Sequence, residues 1–166
     1  MKNFIGHRKY VNTLDMKVEY MSLAKQNEKA AILLQKQGLY KEAVYMYIQT
    51  MEKRIKGYIC GKIDASNIYF SDTLRDVAHS LDKSINILIE ILSGNNETLK
   101  QQLSLQLKSG VFENINFSKL HNDCRYPNYN SSNKKYFILD IEYQDCLRIS
   151  NMNTKLEKFI NDFDRL

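Results

Sequence analysis

Leu39–Ile59, LYKEAVYMYIQTMEKRIKGYI, is the stretch whose reading decides the fold. Its apolar residues Tyr40, Ala43, Val44, Tyr47, Ile48, Met51, Ile55, Tyr58 and Ile59 recur at three and four, the spacing of one stripe on a helix. Gly38, directly upstream, suits a helix end because glycine reaches positive φ without steric cost, and the preceding AAILLQKQ reads as another helix ending there. Two antiparallel helices therefore meet at Gly38.

Working outward, residues 1–18 have weak periodicity and form an amino-terminal arm or short helix, with 19–166 as the folded body. Leu23, Ala24, Ala30, Ala31, Leu33 and Leu34 place a first helix over Tyr20–Gln37. The second runs from Leu39 or Tyr40 to about Tyr58, with Gly57 and Gly61 bracketing its end. After a loop over 61–70, Ser71 or Asp72 caps a third helix in which Leu74, Val77, Ala78, Leu81, Ile85, Leu88 and Leu92 keep the rhythm for more than five turns. Its added isoleucines, Ile87, Ile89 and Ile91, mark it as central or as a partner contact. Leu99, Leu103 and Leu107 give a shorter fourth helix ending at Gly110. Residues 111–134 are rich in Asn and Ser and hold Pro127, which predicts an ordered loop. A last helix spans Tyr136–Phe163, with a break expected near Asn151–Asn153. The G-x-Y-x-E-A pattern at Gly38 matches one tetratricopeptide unit, but a solenoid needs about three stacked copies and only one occurs.

Composition agrees with an all-α chain. It has 166 residues, 43% hydrophobic, with one proline and six glycines, enough for one domain with a real core and long uninterrupted helices. Lys and Arg number 24 against 19 Asp and Glu; the net of +5 is too mild to separate a nucleic-acid binder from an ordinary basic protein. The cysteines Cys60, Cys124 and Cys146 are widely spaced with no CxxC, which indicates reduced thiols in a cytoplasm rather than disulfides or zinc. INILIEIL is interrupted by Asn86 and Glu90 and the amino terminus lacks a signal-peptide core, so neither membrane insertion nor export is expected.

The chemistry-bearing residues fall in two places. Arg75 and His79 lie four apart and share a helix face, where the arginine suits a phosphate and the histidine proton transfer; pairing of Arg75 with Asp72 or Asp76 is the structural alternative. In the loop, His121, Asp123 and Cys124 precede Arg125, Tyr126, Asn128 and Tyr129. Guanidinium and phenol groups there suit a base and a phosphate, or else pin the loop to the bundle. His7 and His79 add no metal-ligand spacing, so no metal and no cofactor are expected. Neither a Gly-rich phosphate loop nor a Gly-x-Ser-x-Gly elbow occurs, and no carboxylates are paired.

Three segments, YKEAVYMYIQTMEKRIKGYI, VAHSLDKSINIL and RYPNY before a long final helix, together resemble the HEPN family over residues 20–163. Arg125, Tyr126, Pro127 and Asn128 are similar to the Arg-Tyr-Pro-Asp stretch of one HEPN branch, and His79 with Leu81 to its His-x-Leu segment. The resemblance implies an up-and-down bundle of four to five helices, commonly a homodimer, sometimes beside a nucleotidyltransferase partner in toxin–antitoxin or defence modules. Many members are metal-independent ribonucleases using Arg-x(4 to 6)-His. Arg75 and His79 have only three residues between them, and no histidine follows Arg125. The expectation is therefore a non-catalytic interaction or nucleotide- and RNA-binding module contacted by Arg125, Tyr126, Tyr129 and His121. A ribonuclease toxin using Arg75 and His79 and a purely structural adaptor are the alternatives.

Overall fold

The computed structural model describes residues 6, 10–12, 15–63, 67, 72 and 80–164. Its elements in order are α1 (Met16–Lys36), α2 (Tyr40–Lys62), α3 (Leu81–Ser93), and α4 (Glu97–Ser104), which runs on as a π-helix (Leu105–Val111). Then come α5 (Phe117–Asp123), strands β1 (Asn128–Asn130) and β2 (Lys135–Phe137), and α6 (Tyr143–Phe163). The two strands pair antiparallel with Tyr129 opposite Tyr136, so the described residues form an all-α bundle carrying one small hairpin. Among them no helix is long and apolar enough to cross a membrane.

The turn between α1 and α2 closes as the sequence leads one to expect. Gly38 takes φ +75°, its N–H donates to the Gln35 carbonyl at 3.1 Å, and the Leu39 N–H donates to Leu34 at 2.9 Å. That double closure satisfies carbonyls which the end of α1 would otherwise leave without donors. α2 is then buried on nearly every side: from Tyr47 to Ile59 only Lys53 escapes burial. α1, α3 and α6 pack around it. Ile48, Met51, Ile55 and Ile59 of α2 share one core with Leu81, Ile85 and Leu88 of α3 and Ile149, Met152, Leu156 and Ile160 of α6. Phe112 and Phe117 close its other end edge-to-face, with ring centroids 5.5 Å apart.

Several boundaries differ from the sequence reading, each for a local reason. α1 takes in residues 16–18 as well. α2 continues to Lys62, so Gly57 and Gly61 lie inside it rather than at its end. A β-carbon on Gly57 would meet Tyr20 Cβ at 3.1 Å and Met21 Cγ at 3.3 Å, and one on Gly61 would meet Lys17 Cδ at 2.7 Å, so both glycines lie where α1 crosses closely. The third helix is not continuous from Ser71 or Asp72: Ser80 is extended (φ −114°, ψ 108°) and its hydroxyl accepts from the Lys83 N–H, starting α3 afresh at Leu81. Asp72 is helical, while Ser71, Leu74, Val77 and Ala78 lie outside the described residues. α3 buries one face only, and the central position belongs to α2.

Gly110 does not end a helix but sits inside the π-helical turns. Leu103, Leu107 and Val111 are four apart and all buried, so one side of the helix faces the core through the π-helical turns. The stretch 111–134 is more regular than a loop. Asn116 caps α5 by accepting from the Lys119 N–H at 2.8 Å, and Asp82 of α3 accepts from Phe117 and Ser118 N–H groups at 3.2 and 2.7 Å. Asn130 then closes the hairpin by accepting from Ser132 and Asn133 N–H groups. Residues 135–137 are spent on β2, so the last helix starts at Tyr143, where Glu142 and Asp145 form a reciprocal capping box. It runs unbroken through 151–153, because Met152 and Asn153 face inward and are held there.

Asn153 belongs to a buried clamp. Arg54 donates to Asn153 Oδ1 at 2.8 Å and to Glu28 Oε2 at 3.1 Å, and Asn153 Nδ2 donates to Glu28 Oε1 at 2.6 Å. One arginine so fastens α1, α2 and α6 together. Burial of its charge is tolerated because both terminal nitrogens find oxygens.

Candidate functional site

α2 carries a polar stripe beside its apolar one. Tyr45, Gln49, Glu52, Lys53 and Lys56 are spaced by three and four, so they share a face. Lys56 Nζ meets Glu52 Oε1 at 2.8 Å with both side chains buried, and Gln49 Nε2 lies 3.4 Å from Glu52 Oε2. Lys53 Nζ donates to Gln49 Oε1 at 3.0 Å. Because an ammonium only donates, this bond fixes the orientation of the Gln49 amide and turns its Nε2 toward His121 Nε2, 3.2 Å away. His121 must accept there and carry its proton on Nδ1, an assignment made from the hydrogen-bond network. Burial lowers the pKa of Lys53 from its ordinary value, opposed by the Glu52 charge.

His121 is thus a buried support, 6% exposed, rather than an outward ligand. Its ring stacks on Tyr45 with centroids 5.0 Å apart and an interplanar angle of 29°. Arg125, which follows α5, places its guanidinium carbon 6.0 Å from the centroid of Tyr45 and 4.8 Å from that of Tyr126. The order Gln49, His121, Tyr45, Arg125, Tyr126 runs from the interior to the surface. Arg125 and Tyr126 are exposed, Tyr126 by 54%, and Arg125 makes no ion pair with any described residue. A cation over aromatic faces, with no carboxylate partner among the described residues, can meet a phosphate while its neighbours stack on a base.

The hairpin extends this surface. Asn128 Nδ2 donates to Asp123 Oδ1 at 2.8 Å and to the Tyr126 carbonyl at 3.1 Å, tying the Tyr-Pro turn to the end of α5. Tyr129 and Tyr136 pair across the strands with centroids 5.2 Å apart, and both are exposed. Between α5 and the hairpin lies an open groove of about 550 Å³ bordered by Lys119, Asn122, Asp123, Asn130 and Phe137.

Of the residues singled out in the sequence, Arg125 and Tyr126 come together at the surface with His121 beneath them, while Tyr129, also exposed, pairs with Tyr136 on the hairpin. Arg75 and His79 lie outside the described residues. Tyr45 and Gln49, which link the loop to the bundle, were missed as site residues; their signal was the polar spacing on α2, whose meaning depends on what packs against it. Among the described residues no group of three or more His, Cys, Asp or Glu side chains could hold a metal ion. Burial pushes the Cys124 thiol up to about 11 and raises Cys60 and Cys146 as well, so none presents a thiolate at neutral pH.

No family model, curated protein or solved structure matches the chain.

Proposed function

We propose that this protein is a non-catalytic, HEPN-like binding module whose ligand is a nucleotide or single-stranded RNA, held at the face of Arg125, Tyr126 and Tyr129. The observation that carries the reading is the exposed Arg125 guanidinium, lying over two tyrosine rings and lacking a carboxylate partner among the described residues. A charge without a carboxylate partner among the described residues, beside exposed rings, suits phosphate and base together. Lys134 and Lys135 of the hairpin add positive charge, and neither forms an ion pair among the described residues. The resemblance of YKEAVYM and RYPNY to the HEPN family supports the same reading, and with it a self-paired module acting in a toxin–antitoxin or defence system beside a nucleotidyltransferase.

Fluorescence anisotropy of the full chain with labelled single-stranded RNA of mixed sequence tests the ligand. Binding should weaken as salt rises, and Arg125→Ala should lose about tenfold in affinity, the worth of one charge-assisted hydrogen bond. No binding by the unaltered protein, or equal binding by Arg125→Ala, overturns the reading. Solution mass measured separately tests self-pairing.

A further inference from the structure

The groove between α5 and the hairpin differs in chemistry from the arginine face beside it. The pleat sends alternate strand residues to opposite sides, so Asn128, Asn130, Lys135 and Phe137 share one face of the hairpin while Tyr129 and Tyr136 share the other. Asn128, Asn130 and Phe137 border the groove together with Tyr129, and across from them α5 supplies Lys119, Asn122 and Asp123. An aromatic ring, a carboxylate and amides therefore surround one space of about 550 Å³, roomy enough for a nucleobase.

Asp123 supplies the groove's carboxylate. Asn128 Nδ2 fixes the carboxylate by donating to Oδ1 at 2.8 Å, which leaves Oδ2 and the second lone pair of Oδ1 as acceptors. Among bases, guanine presents two adjacent donors, N1–H and the 2-amino group, matched to the two oxygens of a carboxylate. Adenine and cytosine offer a single amino group, and uracil one N–H flanked by carbonyls that a carboxylate repels. Lys119 at the rim, with no ion pair among the described residues, offsets the negative charge that an approaching phosphate would meet. Phe137, 41% exposed, supplies a face for the ring.

We propose that this groove is a guanine-reading subsite: Asp123 accepts from the guanine N1–H and 2-amino group, Phe137 stacks on the base, and Lys119 holds the adjoining phosphate. The inference rests on the RNA-binding reading of the neighbouring face and names the base which that reading leaves open.

The test uses the full chain and three labelled RNAs: a short oligouridine, the same oligomer with one central guanosine, and the same with one central adenosine. The guanosine oligomer should bind about tenfold more tightly than either of the others, within the range for one bidentate base contact. Asp123→Asn should abolish that advantage, since an amide offers one acceptor oxygen where guanine presents two donors, and the amide oxygen can still accept from Asn128. Phe137→Ala, a change at a partly exposed position, should weaken the guanosine oligomer several-fold, with the far-UV circular dichroism of both variants unaltered. Equal affinity for all three RNAs, or a guanosine preference that survives in Asp123→Asn, overturns the subsite while leaving the arginine face standing. Failure of the unaltered protein to bind any of the three overturns both.

Discussion

Arg54 lies 7% exposed between α1, α2 and α6, its guanidinium bonded to Asn153 and Glu28 and 3.5 Å from Glu157. Arg125 stands at the open end of α5 over Tyr45 and Tyr126, with no carboxylate partner among the described residues. Both are guanidinium groups on a helical scaffold, yet the first is answered by oxygens inside the protein and the second, among the described residues, meets no carboxylate. Burial requires that a charge be answered locally, because an unanswered one costs several kcal/mol. Exposure removes that requirement, so ring contacts suffice to orient a charge that water or a ligand then meets. Burial, not residue type, decides how closely an arginine's charge is matched.

The comparison breaks most readily at the closed end. Arg54→Met should destabilise the protein by about 3 kcal/mol, since Glu28 and Asn153 lose their donor; urea denaturation reads this as a lower midpoint. A change near zero would mean that the clamp contributes nothing. Gly57→Leu should cost about 1–3 kcal/mol through overpacking, because the new side chain begins 3.1 Å from Tyr20 Cβ, and the same denaturation series checks it.

At the open end stability should barely move while binding does. Tyr126→Ala should leave the urea midpoint within about 0.5 kcal/mol of the parent yet weaken single-stranded RNA by about 1 kcal/mol, measured by anisotropy. A large loss of stability with no change in affinity would make the arginine face a packing feature like the clamp.

The smallest effect concerns Glu113, which lies between the two in exposure and bridges Arg148 at 2.6 Å and Lys155 at 3.2 Å. Those hydrogen bonds, Arg148's first, hold its carboxyl below its ordinary 4.5. A depressed folded value means the contribution is present above about 4.5 and is lost as pH falls through that lower value. Glu113→Gln should therefore lower stability slightly at neutral pH and flatten the decline below about pH 4.5, followed by thermal melts across that range. Unchanged melts would show that the bridge is screened away by solvent.

Much of the fold was legible in advance. The three-and-four recurrence of Ala43, Val44, Tyr47, Ile48, Met51 and Ile55 announced α2, and Gly38 announced the turn, because helical period and positive φ are properties of local sequence. The break at Ser80 and the π-helix were not legible: apolar rhythm continues across both, and only side-chain capping at Ser80 and inward packing of Leu107 and Val111 decide them. Of the site, Arg125, Tyr126 and Tyr129 could be picked out because a loop rich in rings and a guanidinium is unusual. The roles of Tyr45, Gln49 and His121 could not be read, since residues from the second helix and from 121 come together only when α5 folds against α2.

By itself the sequence determined that the chain is helical, where its two longest amphipathic helices turn back on each other, and which loop holds the candidate chemistry. Tertiary structure alone decided that α2 rather than the isoleucine-rich α3 is the central helix, that His121 is buried, and that Arg54 meets a carboxylate while Arg125 meets none among the described residues. Periodicity is carried by neighbours along the chain, whereas burial and the pairing of charges depend on groups that meet only after the chain has closed on itself.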